Sequence, residues 1–245
     1  MANANNETGH YKNVANFKGL IQFCESLGSS YRPSRPELTV VQLNTTCSTA
    51  IDVMDQINTA EIALSKATNA RILAYGALPK LITRLANGLE AINPSSDVLK
   101  TAHHYVAKAR GKRMTTPEAP AADAKPEDLP KTRSVSQRSY DAQLANFVQL
   151  VNILTAEPLY HPNETEVTIT ALQEKVQNLV QLNGEWTAAS NQMKLLTAQR
   201  QQVLYAPVTG LVSVAESVKK YLKSLYMANS KEMKAANAFA IRKLK

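Results

Sequence analysis

The feature that most constrains this chain is a long stretch that occurs twice. Residues 34–75 return, at a spacing of 129 positions, as a second version that extends over residues 163–205. The identical pairs at this spacing are Tyr31/Tyr160, Pro33/Pro162, Glu37/Glu166, Thr39/Thr168, Leu43/Leu172, Ala60/Ala189, Thr68/Thr197 and Arg71/Arg200. Self-similarity at a fixed spacing is typical of a chain built from copies of one structural unit. The sequence therefore predicts a tandem duplication in which both halves fold alike.

Each copy opens with residues that favour the start of a helix. Ser34 and Glu37, like Asn163 and Glu166, have the spacing of a capping box, in which both side chains bond to unpaired backbone N–H groups. Apolar or small residues then recur at steps of three and four, as on one face of a helix. They are Val40, Leu43, Cys47, Ala50, Met54, Ile57 and Leu64 in the first copy and Ile169, Leu172, Val176, Leu179, Trp186 and Met193 in the second. We therefore expect a long, heptad-patterned helix at the centre of each half.

A change of spacing predicts where the long helices end. The spacing is 129 residues up to Arg71/Arg200 but 130 at Leu81/Leu211. One extra residue in a continuous helix would rotate everything beyond it by about 100°, so a turn must absorb it. We place the turns at residues 76–79 and 206–210. A third and a fourth helix follow in each half, the last one from Ser230 to the C-terminus, so that each half holds four helices.

The predicted fold class is all-α, with a helical bundle in each half. We assign residues 1–9 to a frayed N-terminus, 10–111 to the first repeat and 139–245 to the second, which ends in a basic helix. Between them, residues 112–138 combine proline, alanine and charged residues without a period, which predicts a linker. Apolar residues make up 44% of the chain, enough for a helical core.

Nothing in the sequence directs the chain into a membrane. No apolar run approaches the length of about 18 residues that a spanning helix needs. The N-terminus also lacks the basic and apolar segments of a secretory signal, so we expect a cytoplasmic protein. Cys24 and Cys47 fall on apolar faces of different predicted helices, which favours buried free thiols over a disulfide.

A tyrosine and a proline precede each long helix. Tyr31 and Tyr160 stand two positions before Pro33 and Pro162, and the residue before a proline is pushed away from the helical region. Each segment is therefore predicted to be a rigid extended connection. Two interpretations of the tyrosines remain open. They line a binding groove, or each ring plugs the turn while its hydroxyl lies at the surface.

The ionisable residues form no pattern that identifies a reaction. Adjacent His103 and His104 point about 100° apart on a helix and cannot both face one metal ion. Glu-x-x-His occurs once, at Glu7 to His10, whereas a di-iron bundle needs this spacing on two helices, and no glycine-rich phosphate-binding loop occurs. We therefore predict no catalytic residue, no metal site and no cofactor, and a chain that is not an enzyme.

Positive charge is concentrated near the C-terminus. The net charge of the chain is +8, and from residue 219 onwards a single acid, Glu232, stands among eight cations. These candidate partner-binding residues are Lys219, Lys220, Lys223, Lys231, Lys234, Arg242, Lys243 and Lys245. A solvated basic helix end is one interpretation. A docking surface for nucleic acid, an anionic membrane surface or an acidic protein is the other.

Several short segments carry a resemblance to other proteins. They are Asn16-Phe17-x-x-Leu20-Ile21, Ser26-Leu27-Gly28-Ser29-Ser30-Tyr31-x-Pro33-Ser34, Thr68-Asn69-Ala70-Arg71, Lys80-Leu81-Ile82-Thr83-Arg84 and Leu204-Tyr205-Ala206-Pro207-x-Thr209-Gly210-Leu211-Val212. With these segments the chain resembles a group of uncharacterised bacterial helical proteins of similar length. The resemblance implies a two-repeat helical fold and a bacterial cytoplasm, and it implies no activity.

Taken together, these features favour a non-enzymatic structural, scaffold or protein-interaction protein. Two long heptad-bearing helices can also pack between chains, so self-association belongs to this expectation. The alternative is binding of nucleic acid or another polyanionic surface through the basic C-terminal region.

Overall fold

The fold is all-α, as the sequence predicts. A computed structural model describes residues 4–92, 94–110 and 139–244, with side chains from residue 9 onwards, so the predicted linker lies outside the described residues. Within them are seven α-helices and no strand: α1 (Ala4–Ser26), α2 (Val40–Ala91), α3 (Ser96–Ala109), α4 (Tyr140–Ala156), α5 (Ile169–Tyr205), α6 (Leu211–Leu225) and α7 (Lys231–Ala238). None of these helices combines the length and the apolar character needed to cross a bilayer.

The helices group into two compact units. Unit 1 comprises residues 1–64 and 189–245, and unit 2 comprises residues 65–188. The boundary falls inside both long helices, α2 and α5. Unit 1 therefore combines the beginning of the first predicted repeat with the end of the second, and unit 2 combines the remaining parts. The predicted repeats and the compact units are different divisions of the chain.

The core of unit 1 forms around α1 and α6. Phe17, Leu20 and Ile21 of α1 are buried together because positions three and four apart lie on one face of a helix. From α6 the core receives Leu211, Ala215, Val218 and Leu222. A smaller cluster joins the two long helices within this unit through Val53, Ile57, Ala60 and Leu196.

The core of unit 2 forms around α4 and the second part of α2. Phe147, Leu150 and Val151 of α4 are buried in the same way as the α1 residues. The second part of α2 contributes Leu78, Ile82, Leu85 and Leu89, and α3 contributes Ala102, Val106 and Ala109.

Several core positions of the two units correspond. The pairs Phe17/Phe147 and Leu20/Leu150, at a spacing of 130, and Leu43/Leu172, at 129, all have 0% of their surface exposed. One-turn 3₁₀ helices at Pro36–Leu38 and Thr165–Val167 precede the two long helices at the same spacing of 129. The same local structure is therefore built twice.

The predicted starts of the long helices are wrong. α2 begins at Val40 and not after a Ser34 cap, because the chain first makes the 3₁₀ turn and then starts again at Thr39. The Thr39 carbonyl accepts the N–H of Leu43 at 2.9 Å, and the same arrangement opens α5. The predicted capping carboxylates form ion pairs instead, Glu37 with Arg35 and Glu166 with Arg84.

The predicted break at residues 76–79 is also wrong, since α2 continues through Pro79 to Ala91. Proline in a helix removes one backbone hydrogen bond. Here Pro79 lies on the exposed side, while its neighbours Leu78 and Ile82 are fully buried in the unit 2 core and hold the helix in place. The first half of the chain therefore contains three described helices rather than four.

The predicted break at residues 206–210 is confirmed. α5 ends at Tyr205, and a Cβ atom on Gly210 would lie 2.5 Å from the backbone nitrogen of Ala206, so the turn needs a glycine there. Beyond this turn the buried pairs are Leu78/Leu211, Ile82/Ala215, Leu85/Val218 and Leu89/Leu222, each at most 1% exposed. Their spacing is 133, so the turn adds four residues relative to α2 and not the single residue predicted.

Candidate functional sites at the C-terminal tail and beside Tyr160

Residues 239–244 form a non-helical tail that is bound to α1. This corrects the prediction of a helix to the C-terminus, because α7 ends at Ala238. The side-chain amide of Asn13 donates to the Arg242 carbonyl at 2.7 Å and accepts the Arg242 N–H at 3.1 Å. Asn16 Nδ2 donates to the Ala240 carbonyl at 2.7 Å. These bonds replace the helical pairing that the tail lacks.

Two glycines of α1 give the tail its room. A Cβ atom on Gly9 would lie 2.7 Å from the Leu244 side chain, and one on Gly19 would overlap the ring of Phe239. Phe239 and Leu244, together with Ile241, are partly buried against the unit 1 core. The tail is therefore a fitted part of unit 1, with its apolar side chains inside and its basic side chains outside.

One of the eight predicted binding residues has a structural role. Lys219 is half-buried, and its Nζ donates to the Phe239 carbonyl at 2.6 Å. Burial lowers the pKa of Lys219, and the charge of Glu216 opposes this change. Lys245 lies outside the described residues.

The other six predicted residues are exposed, and we call them the C-terminal basic surface: Lys220, Lys223, Lys231, Lys234, Arg242 and Lys243. Within the described part of the chain, none of them forms an ion pair. The two lysines on α6 and the two on α7 are each three positions apart, which places each pair on one side of its helix. Leu225 and Met227, between these pairs in sequence, are 43% and 87% exposed.

A cavity of about 420 Å³ lies in unit 2 beside Tyr160. It opens between the end of α2 and the segment of residues 159–164, and this volume is typical of small-molecule pockets. Its lining includes Arg84, Asn87, Gly88, Tyr160, His161 and Asn163. The Arg84 guanidinium is held by the Glu166 carboxylate.

The prediction that the tyrosine hydroxyls lie at the surface is wrong. Tyr31 donates to the Leu38 carbonyl at 2.7 Å, and Tyr160 donates to the Val167 carbonyl at 3.0 Å. Both rings are buried, which confirms that they plug the turns. Burial raises the pKa of both hydroxyls, so each acts as a hydrogen-bond donor at neutral pH. The second interpretation, a groove, also has a counterpart in unit 2, because the cavity lies against Tyr160.

Unit 1 carries an aromatic side chain where unit 2 has the cavity. Tyr221 corresponds to Gly88 at the spacing of 133 that relates α6 to α2. Its ring meets the ring of Tyr31 edge to face, with the centroids 5.4 Å apart. The backbone N–H of Arg32 donates to its hydroxyl at 3.1 Å. In unit 2, a Cβ atom on Gly88 would be 3.9 Å from Tyr160 and would meet nothing closer.

A polar cluster also lies inside unit 2. The Arg71 guanidinium is placed between two aromatic rings, 3.8 Å from the centroid of Trp186 and 4.6 Å from that of Tyr140. Burial raises the pKa of Tyr75, whose ring contacts that of Tyr140 at a tilt of 45°. Asn183 donates to Asp141 at 3.0 Å. The cluster joins α2, α4 and α5 within unit 2, so we assign it a structural role.

The described residues contain no group of metal-ligating side chains close enough to hold an ion. Cys24 and Cys47 are buried free thiols, as predicted. Burial raises the pKa of Cys24 to about 11 and also raises that of Cys47. A thiol with a raised pKa is a poor nucleophile at neutral pH.

Comparison of the chain with protein-family models, with curated proteins and with solved structures finds no match. The resemblance to bacterial two-repeat helical proteins therefore stays a prediction.

Sequence reasoning did not identify Asn13, Asn16 or Gly88. The two asparagines are three positions apart, a spacing that places them on one side of a helix and that could have marked them as a pair. Gly88 stands within a strongly helical segment, where glycine is unfavourable, and this is a signal for a position that needs space.

Proposed function

We propose that this chain is a non-enzymatic helical scaffold that binds a protein partner through the C-terminal basic surface. The observation that carries the proposal is that six exposed cations on α6, α7 and the tail have no acidic partner among the described residues. Such a surface attracts a partner of opposite charge and orients it during the encounter. A reducing, cytoplasmic setting belongs to the proposal, because both cysteines are free.

Exposed apolar side chains that lie between these lysines in sequence favour a protein over nucleic acid. Leu225 and Met227 lie between the lysines of α6 and those of α7 in sequence. Methionine is enriched in protein–protein interfaces, whereas phosphate groups offer no apolar contact. The expected partner segment therefore carries acidic and apolar residues together.

Fluorescence anisotropy with two labelled probes tests this proposal. One probe is a peptide of alternating glutamate and leucine, and the other is a single-stranded DNA of the same net charge. We expect the peptide to bind more tightly than the DNA at equal salt. The double variant Leu225→Ser and Met227→Ser should remove the difference, because it removes only the apolar contacts.

Charge reversal provides a matched pair of variants. Lys220→Glu, Lys223→Glu and Lys231→Glu together should weaken peptide binding by at least about tenfold. The control carries the same change of net charge on exposed lysines elsewhere, Lys66→Glu, Lys80→Glu and Lys194→Glu, and should bind nearly as the wild type does. Equal loss in both variants, or none in the first, would contradict the proposal. Tighter binding of DNA with a steep salt dependence would assign the surface to nucleic acid.

Self-association is the second candidate function. Unit 1 exposes Val41 and Ile62 on α2 and Leu195 on α5, at 78%, 59% and 66%. Exposed aliphatic side chains on long helices are the groups that a second copy would cover. Solution mass measured over a range of concentrations should then show a dimer. A monomer at every concentration would rule out this function.

We propose further that the two repeats arose by duplication of one helical unit. The support is the paired local structure: both tyrosine hydroxyls bond to the carbonyl seven residues on, and a 3₁₀ turn precedes both long helices. An experimental structure tests this proposal. The backbone of residues 10–71 should superimpose on that of residues 139–200, and different paths would contradict a common origin.

A further inference from the structure

We infer that the cavity beside Tyr160 is a binding site for a phenolic ring. The inference is independent of the C-terminal basic surface and goes beyond the proposed scaffold function. It depends on a comparison that the chain itself provides, because the same local structure is present in unit 1 with the site filled.

Unit 1 identifies the chemistry of the occupant. Where the cavity lies in unit 2, unit 1 has the ring of Tyr221, packed edge to face on Tyr31. Edge-to-face contact is a preferred arrangement of two aromatic rings. The Tyr221 hydroxyl accepts the backbone N–H of Arg32 at 3.1 Å. A hydroxyl-bearing ring is therefore held there by one face contact and one backbone donor.

Unit 2 presents the corresponding tyrosine ring and backbone N–H, and none of its described side chains fills the cavity. Tyr160 corresponds to Tyr31 and is held in the same way, with its hydroxyl bonded to the carbonyl seven residues on. His161 corresponds to Arg32, and its backbone N–H bonds only to the Leu159 carbonyl, two residues back. This bond closes a three-residue γ-turn at 3.1 Å, so the N–H binds a ligand oxygen only by giving up the Leu159 carbonyl.

Gly88 leaves the space open at a cost to helix stability. Glycine in a helix interior is less favourable than alanine. The nearest atom to a Cβ at this position would be Tyr160 Cε2 at 3.9 Å, an ordinary contact distance, so the chain's own packing does not require glycine. A ligand ring in the position that the Tyr221 ring has in unit 1 would require a glycine at position 88.

The remaining lining determines what else the ligand can carry. Arg84, Asn87 and Asn163 place a cation and two amides around the cavity, so a second polar substituent on the ring finds a partner. The shared chemistry is thus a para-substituted phenol. A free small molecule and the tyrosine side chain of another protein can both supply it.

Titration of the full-length protein with p-cresol, followed by amide NMR, tests the inference. We expect the Gly88 and His161 amide signals to shift, with a Kd on the order of 1 mM for so small a ligand. Toluene, which lacks the hydroxyl, should bind about three- to tenfold more weakly because it makes no hydrogen bond. N-acetyltyrosinamide distinguishes the two sources: binding at least as tight as that of p-cresol points to a partner's tyrosine, and weaker binding points to a free phenol.

Three variants locate the site. Gly88→Tyr places in unit 2 the residue that unit 1 carries and should abolish p-cresol binding. Gly76→Tyr is the control, because this exposed glycine of the same helix also has open space around it but lies outside the cavity lining, and this variant should bind as the wild type does. Tyr221→Gly opens the corresponding space in unit 1 and should add a second set of shifts, at the Arg32 amide.

The inference is overturned if p-cresol leaves the wild-type Gly88 and His161 amides unchanged, if toluene binds as tightly as p-cresol, or if binding survives in Gly88→Tyr. The first two outcomes need no variant, so they decide the matter even where a substitution prevents folding. Because no step uses a basic residue of the C-terminal surface, loss of this site would leave the proposed scaffold function untouched.

Discussion

The two tyrosine turns of the molecule both hold a buried tyrosine and end in a 3₁₀ turn, and they differ in what covers the tyrosine. In unit 1, Tyr31 is covered by the ring of Tyr221, whereas in unit 2 Tyr160 borders a cavity above Gly88. Both tyrosine hydroxyls donate to the carbonyl seven residues on, that of Leu38 or Val167, and Tyr31 alone also bonds to the Cys24 thiol. The difference teaches that the repeated part is the scaffold of the turn, while one residue on the adjoining helix decides whether the turn is closed.

The buried polar side chains at the centre of each unit, which we call its polar centre, also differ between the units. In unit 1 the hydroxyl of Tyr205 meets His10 Nδ1 at 2.6 Å and Asn13 Nδ2 at 3.2 Å. In unit 2, Arg71 lies between the rings of Tyr140 and Trp186. Asn13 also holds the tail, so in unit 1 the polar centre is connected to the C-terminal segment. The tail is therefore part of what makes the two units different.

The largest expected effect tests whether the cores are equivalent. Phe17→Ala and Phe147→Ala should each lower the free energy of unfolding by about 3–5 kcal/mol, because each removes a fully buried ring. Guanidinium denaturation measures both, with Phe23→Ala, at a partly buried position, as the milder control. A loss in one unit several times larger than in the other would show that the cores are not equivalent.

Unit 1 contains a buried thiol that should make its stability depend on alkaline pH, and unit 2 has an aliphatic side chain at the corresponding position. Cys24 in unit 1 corresponds to Leu154 in unit 2 at a spacing of 130. Burial raises the pKa of Cys24 from 9.0 to about 11, so the folded state keeps its proton while the unfolded state loses it. The free energy of unfolding should therefore keep its full value below pH 9 and should fall by roughly 3 kcal/mol as the pH rises to about 11.

The measurement for this prediction is the difference in unfolding free energy between wild type and Cys24→Val. The difference should change steadily between pH 9 and about pH 11 and should level off on either side. A difference that stays constant with pH would show that the thiol ionises equally well in both states.

Removal of the tyrosine hydroxyl from each turn tests whether both turns depend on the same hydrogen bond. Tyr31→Phe and Tyr160→Phe each leave a buried carbonyl without its donor, which should cost about 1–3 kcal/mol in either unit. Thermal unfolding measures both. A loss confined to Tyr31→Phe would mean that the turn in unit 2 does not depend on its hydrogen bond.

The smallest expected effect concerns the open site itself. Gly88→Ala should raise the free energy of unfolding by about 1 kcal/mol, because a methyl group fits beside Tyr160 and alanine favours the helix. Gly210→Ala is the contrasting control and should be destabilising, since its Cβ would overlap the backbone of Ala206. Calorimetry that finds both substitutions destabilising would show that the space at Gly88 is already in use.

Much of the fold follows from local spacing, and the errors arise where distant contacts decide. The apolar steps of three and four predict the long helices, and the turn residues around Gly210 predict the end of α5. Pro79 predicts a break that does not occur, because buried Leu78 and Ile82 keep α2 helical through it. The predicted similarity between the halves also does not reveal which parts pack together, and each unit combines the beginning of one predicted repeat with the end of the other.

The candidate sites were predictable only in part. The charge run identified the basic residues of α6, α7 and the tail but not that Lys219 is held by the Phe239 carbonyl. A helical period was also expected through the tail, which instead depends on Asn13 and Asn16, more than 220 positions earlier in the chain. The sequence spacing of 130 pairs Gly88 with Val218, whereas the buried residues of α2 and α6 have a spacing of 133 and pair Gly88 with Tyr221.

The most direct test of the central claim, that one turn is built twice and closed only once, is an experimental structure of the Gly88→Tyr variant. The account predicts that the new ring lies edge to face on Tyr160, near the 5.4 Å centroid distance of the Tyr221 and Tyr31 rings, and that its hydroxyl accepts the His161 N–H. A new side chain that points into solvent and leaves the cavity beside Tyr160 open would contradict it.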